Sequence, residues 1–98
     1  MAKVNFTMDT AAEPYVVWLY FPDGQRTIIG FTDGASSSEL FPGVYQVRVQ
    51  IFGLSNTEAE LTVKVDEQKP EYKIGGKITT GGQALIPGGF IVWGQSNA

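Results

Sequence analysis

The chain is expected to fold as an all-β sandwich of about seven short antiparallel strands, and three observations carry that expectation. Residues 40–51, Leu-Phe-Pro-Gly-Val-Tyr-Gln-Val-Arg-Val-Gln-Ile, place a Pro-Gly turn before a strand in which Tyr45, Val47, Val49 and Ile51 alternate with Gln46, Arg48 and Gln50. Strict period two puts one row of side chains in a core and the other in water. Comparable stretches recur at roughly 8–12-residue spacing between Gly and Pro punctuation, the pattern of a sandwich, with barrel closure as the alternative. No segment sustains an apolar period of 3.6, so no substantial helix is expected.

The first strand is read from Val4, Phe6 and Met8, which alternate with Lys3, Asn5, Thr7 and Asp9. Tyr15 to Phe21 is apolar at both parities and rich in aromatic and β-branched residues, as suits a central strand covered on both sides. Pro22-Asp23-Gly24 then presets a tight turn, so Arg26 to Thr32 should return as a hairpin. Asp33 to Ser38 reads as a polar loop, with a short strand at Glu39 to Phe41 before the Pro42-Gly43 turn.

The Tyr45 strand runs to about Phe52. Glu58 to Asp66 resumes alternation with Leu61, Val63 and Val65 inward, and a hairpin from the preceding strand is the natural expectation. Asp66 to Pro70 marks a bend or short linker. Seven glycines lie between Gly75 and Gly94, among them the pairs Gly75-Gly76, Gly81-Gly82 and Gly88-Gly89. Interior glycine weakens strands, so only Glu71 to Thr79 and Phe90 to Trp93 are read as strands there, with Gly-rich turns between them.

A chain of 98 residues has the size of one domain, so residues 1–98 are assigned to a single sandwich, with 75–98 either completing a sheet or extending as an arm. Apolar residues make up 43% and charged residues 17%, a balance that favours folding over disorder. There is no cysteine and no histidine, which removes thiol chemistry, the usual neutral-pH base and the usual zinc ligands. No catalytic, cofactor-binding or metal-binding residues are therefore assigned, and the chain is expected not to be an enzyme.

Ten acids against seven bases, scattered in ones and twos, give a net charge of -3; without a basic stripe, nucleic acid is not an expected partner. The start lacks the pattern of a signal peptide, and the apolar run Tyr15 to Phe21 falls short of a membrane span. That is compatible with cytoplasmic synthesis and incorporation into a virion.

At Leu40-Phe-Pro-Gly-Val-Tyr45 the chain resembles the Leu-x-Pro-Gly-x-Tyr turn of fibronectin type III, carboxypeptidase-regulatory-like and collagen-adhesin B-type modules. Phe21-Pro-Asp-Gly24 and Phe31-Thr-Asp-Gly34 look like turns of the regulatory-like and prealbumin-like sandwiches. The resemblance spans Tyr15 to Val65 and implies an Ig-like sandwich in which the Tyr45 hydroxyl is tied to nearby backbone. For collagen-adhesin modules it would also imply a Lys-Asn isopeptide bond; Lys3, Glu39 and Asn97 stand in the required order, although Glu39 lies in a polar segment where an exposed carboxylate is the favoured state.

Asp9, Glu13, Asp23, Asp33 and Asp66 could offer oxygens to calcium, but none forms an Asp-x-Asp cluster, and turn formation explains them more simply. Glu58 and Glu60 share a strand face, where acids commonly blunt an edge. Trp18 and Tyr20 also share a face. Trp18 is expected to fill the sandwich centre; the competing readings are a platform for stacking sugars and a contact with a neighbouring subunit.

Trp18, Tyr20, Phe90 and Trp93 together form the candidate interaction surface. The leading functional expectation is a non-enzymatic structural or interaction module, a small subunit binding a protein partner or itself within a larger assembly such as a phage or virus virion. A carbohydrate-binding or adhesive module of a surface protein is the alternative.

Overall fold

The computed structural model describes residues 1–66, 68 and 71–94 and consists of two four-stranded antiparallel sheets. The strands are β1 (Ala2–Thr10), β2 (Tyr15–Tyr20), β3 (Arg26–Ile28), β4 (Ala35–Leu40), β5 (Gly43–Phe52), β6 (Glu58–Val65), β7 (Tyr72–Lys77) and β8 (Gln83–Val92). One sheet has the order β4-β1-β6-β7 and the other β3-β2-β5-β8. The all-β sandwich is thus present, with eight strands and no helix among the described residues.

The alternating segments behave as their patterns require. Val4, Phe6 and Met8 of β1, Leu61, Val63 and Val65 of β6, and Tyr45, Val47, Val49 and Ile51 of β5 are all buried between the sheets. Burying such side chains fully contributes roughly 1.5–3 kcal/mol each, which is why register is specified so firmly: a slip of one residue would expose the whole row. The Pro22-Asp23-Gly24 turn closes the β2–β3 hairpin, with Gly24 N–H donating to Phe21 O at 2.9 Å and Gln25 N–H donating to Asp23 Oδ1 at 3.0 Å.

The Tyr45 corner forms as well. Its hydroxyl donates to Phe41 O at 2.7 Å, and its ring stacks on Phe90 with centroids 5.3 Å apart and planes 8° apart. Phe6 and Tyr72 approach Phe90 edge-on at 5.8 and 6.3 Å. This cluster joins the two sheets beside the Pro42-Gly43 corner.

Several expectations are corrected. Ser36 to Ser38 are not loop: they lie in β4, paired with β1 through Phe6↔Ser36, Asn5↔Ser37 and Val4↔Ser38. A sheet edge asks little of side-chain hydrophobicity when the neighbouring strand supplies the ladder. The loop shrinks to Asp33-Gly34, whose φ of 53° and 76° match a type I′ turn.

Strands β5 and β6 do not form a hairpin, because they belong to different sheets; β6 pairs with β1 and β7. Gly88-Gly89 is not a turn but the middle of β8, which pairs with β5 from Gly43↔Val92 to Phe52↔Gln83. Gly81-Gly82 does form the turn expected between the last two strands, with φ of 80° and 74°.

Candidate interaction face

The outward rows of the two sheets differ sharply in chemistry. On β4-β1-β6-β7 the outward positions include Asp9, Glu39, Glu58 and Glu60 together with Lys3, Lys64, Lys73 and Lys77. Lys73 Nζ lies 3.4 Å from Glu60 Oε1, and both are exposed. This face is polar and charge-balanced.

On β3-β2-β5-β8 the outward positions form four rows across the sheet beyond a terminal pair, Phe52 and Gln83, at one end. Val16, Gln50 and Leu85 make the first; Ile28, Trp18, Arg48 and Pro87 the second; Arg26, Tyr20, Gln46 and Gly89 the third; Val44 and Ile91 the fourth. These positions hold no Asp, Glu or Lys. Ile28, Val44 and Leu85 are 56%, 61% and 54% exposed, so the apolar character reaches solvent.

Two arginines organise the middle of the face. The Arg26 guanidinium carbon lies over the Trp18 ring, 5.3 Å from its centroid, and that of Arg48 over the Tyr20 ring at 5.5 Å. Both distances fall within cation–π range, where exposed pairs are worth about 0.5–1 kcal/mol. The arginine stems explain why Trp18 and Tyr20 are only half-buried without a second protein layer above them.

The four sequence-derived surface residues are therefore divided. Trp18 is not the core tryptophan: Val17 and Leu19 point inward, so Trp18 and Tyr20 take the opposite parity and stand on the outer face. The run Tyr15 to Phe21 is apolar at both parities, so periodicity alone could not decide which row faces the core. Phe90 is not a surface residue; it is buried against Tyr45 and Phe6, because β8 continues the inward row Ile86, Gly88, Phe90, Val92. Trp93 follows β8, is 55% exposed, and has its backbone tied to the Gln68 side chain by hydrogen bonds of 3.0 and 3.1 Å.

Two of the acids singled out for calcium make local hydrogen bonds instead. Asp23 caps its turn, and Asp66 accepts from Asn5 Nδ2 at 3.0 Å; among the described residues no three acids gather to hold a cation. Lys3 stands opposite Glu39 across β1 and β4, and both side chains are exposed, so Glu39 is not the buried acid an isopeptide bond would need. Asn97 lies outside the described residues.

Three of the four sheet edges offer less than the outer face. Pro87 sits in the edge strand β8 and has no N–H to donate, β3 is only three residues long, and edge strand β7 carries Lys73 and Lys77. Each is a device that discourages strand addition.

Fold and surface together define the class: an antiparallel β-sandwich with one charge-balanced face and one apolar, aromatic and arginine-bearing face. No family model, no curated protein and no solved structure matches the chain.

Proposed function

We propose that this protein is a non-enzymatic interaction module that attaches to a protein partner, as a subunit of a larger assembly, through the outer face of β3-β2-β5-β8. The observation that carries the reading is the composition of that face. Trp, Tyr and Arg are the residues enriched at protein interfaces and their hot spots, while Lys, Glu and Asp are depleted there; the outward positions of this face hold both arginines of the chain and none of the lysines among the described residues. Exposed Ile28, Val44 and Leu85 surround the aromatic pair, supplying apolar area around a central anchor.

The glycan-binding alternative is less well supported. A sugar needs an open aromatic ring face to stack on, and here arginine side chains lie over Trp18 and Tyr20.

The reading is tested by selecting binders to the folded chain from a random peptide library displayed on phage, then measuring them against two serine variants. Ile28→Ser/Val44→Ser/Leu85→Ser should abolish binding, whereas Thr7→Ser/Thr62→Ser/Lys64→Ser on the opposite face should leave it intact. The reverse pattern would sink the proposal. Titration with polysaccharides should leave tryptophan emission unchanged.

A further inference from the structure

We infer that the partner presents an apolar protein surface bearing carboxylates that engage Arg26 and Arg48, and that it is not a second copy of this chain. The inference rests on the interaction-module reading and adds the chemistry of the partner. The net charge is -3, yet the outward rows of β3-β2-β5-β8 carry two positive charges and no negative one.

The two guanidiniums are held in place by aromatic rings but are not neutralised. Neither arginine has a carboxylate partner among the described residues, where Lys73–Glu60 is the ion pair present. A wholly apolar partner would strip water from both guanidiniums and leave their N–H donors unmatched, a heavy desolvation cost. Carboxylates remove that cost, since they accept the planar guanidinium fork through two parallel hydrogen bonds.

Register sets the spacing such a partner must meet. Arg26 lies opposite Tyr20 on β3, and Arg48 opposite Trp18 on β5, with β2 between them. Two strands across and two residues along, their Cα atoms are roughly 12 Å apart, taking a strand spacing of about 4.8 Å and a rise of about 3.4 Å per residue.

A second copy fits poorly in either orientation. Face to face, it would bring two further guanidiniums and only neutral acceptors, the side chains of Gln46 and Gln50 of β5, Gln83 of β8 and the Tyr20 hydroxyl of β2. Like charges brought together across an interface suppress association. The opposite face carries acids, among them Asp9, Glu39, Glu58, Glu60 and Asp66, but also Lys3, Lys64, Lys73 and Lys77, so it would place ammonium groups against the apolar positions Ile28, Val44 and Leu85.

The test compares peptides selected from the random displayed library on wild type, on Arg26→Gln/Arg48→Gln and on Ile28→Ser/Val44→Ser/Leu85→Ser, with circular dichroism confirming that each variant is folded. The expected result is enrichment of sequences combining Asp or Glu with aliphatic or aromatic residues. Their affinity should fall on the order of tenfold for each arginine removed and should weaken with added salt. Peptides without acidic enrichment, lost in the serine variant but unaffected in the glutamine variant, would overturn the carboxylate chemistry while leaving the docking face standing. Binding indifferent to both variants would overturn the docking face itself. Two further outcomes overturn the inference: an oligomer in light scattering that the glutamine variant dissociates, and stoichiometric binding of oligothymidylate at physiological salt.

Discussion

Ile74 of β7 packs directly onto the bare backbone of Gly88 in β8: a Cβ at position 88 would lie 2.6 Å from both Cγ1 and Cγ2 of Ile74 and 2.7 Å from Cδ1. The relationship is reciprocal, since a Cβ at Gly76 of β7 would meet Cγ1 and Cδ1 of Ile86 in β8 at 3.0 and 3.1 Å. Each strand offers an isoleucine to a glycine of the other, so the two sheets close together along this side. Glycine here is a packing notch in a strand interior.

Gly88→Ala should therefore destabilise the fold by about 2–3 kcal/mol through overpacking against Ile74. Ile74→Ala in the same chain should recover part of that loss, giving a non-additive double-mutant cycle of about 1 kcal/mol or more in urea unfolding. Gly30→Ala is the control, because a Cβ there meets nothing within 4 Å. An additive cycle would show that the notch is not the source of the cost.

Tyr45→Phe removes the hydroxyl that donates to Phe41 O at 2.7 Å while keeping the stack on Phe90. The expected loss is about 1 kcal/mol, with the denaturant slope unchanged. An unchanged melting curve would mean that the corner hydrogen bond adds nothing net to stability.

Alkaline pH offers a second handle on the same residue. Burial, with a smaller contribution from Asp23, raises the Tyr45 phenol above its ordinary value of 10.0. The folded chain then holds this proton to higher pH than the unfolded chain. The contribution of Tyr45 is complete below pH about 10 and is lost as pH climbs through the raised folded-state value. The stability difference between wild type and Tyr45→Phe should be flat up to that point and narrow above it in denaturation curves collected across the alkaline range. Asp23→Asn should bring the folded-state value closer to 10.0, so that the total loss is smaller and is complete at a lower pH.

Phe90 and Trp18 should separate cleanly by mutational cost. Phe90→Ala opens the centre of the aromatic cluster and should cost about 3–5 kcal/mol. Trp18→Ala, on the outer face, forfeits partial burial and one cation–π contact and should cost no more than about 2 kcal/mol. Equal costs by chemical unfolding would contradict the placement of Trp18 outside the core.

Legibility in the sequence followed the polarity of alternate positions. Strands β1, β5 and β6 could be read because one parity is polar, so Val4, Phe6 and Met8 or Leu61, Val63 and Val65 have only one way to face a core. The Pro22-Asp23-Gly24 and Pro42-Gly43 turns were equally readable, because the backbone conformations they demand suit few other residues. Where both parities are apolar, as from Tyr15 to Tyr20, the pattern leaves the facing undecided, and Trp18 fell on the outer side.

Local sequence determined the all-β class, the absence of long helices, most strand positions and the Tyr45 corner, since each depends on side-chain alternation or turn conformation within a few residues. Tertiary structure alone decided that β5 and β6 part to different sheets, that the serine-rich segment becomes edge strand β4, and that Phe90 is core. It also decided that Arg26, Arg48, Trp18 and Tyr20 meet on one face. Those outcomes turn on which strands pair and how closely the sheets approach, and pairing between residues distant in sequence leaves no periodic trace in either strand alone.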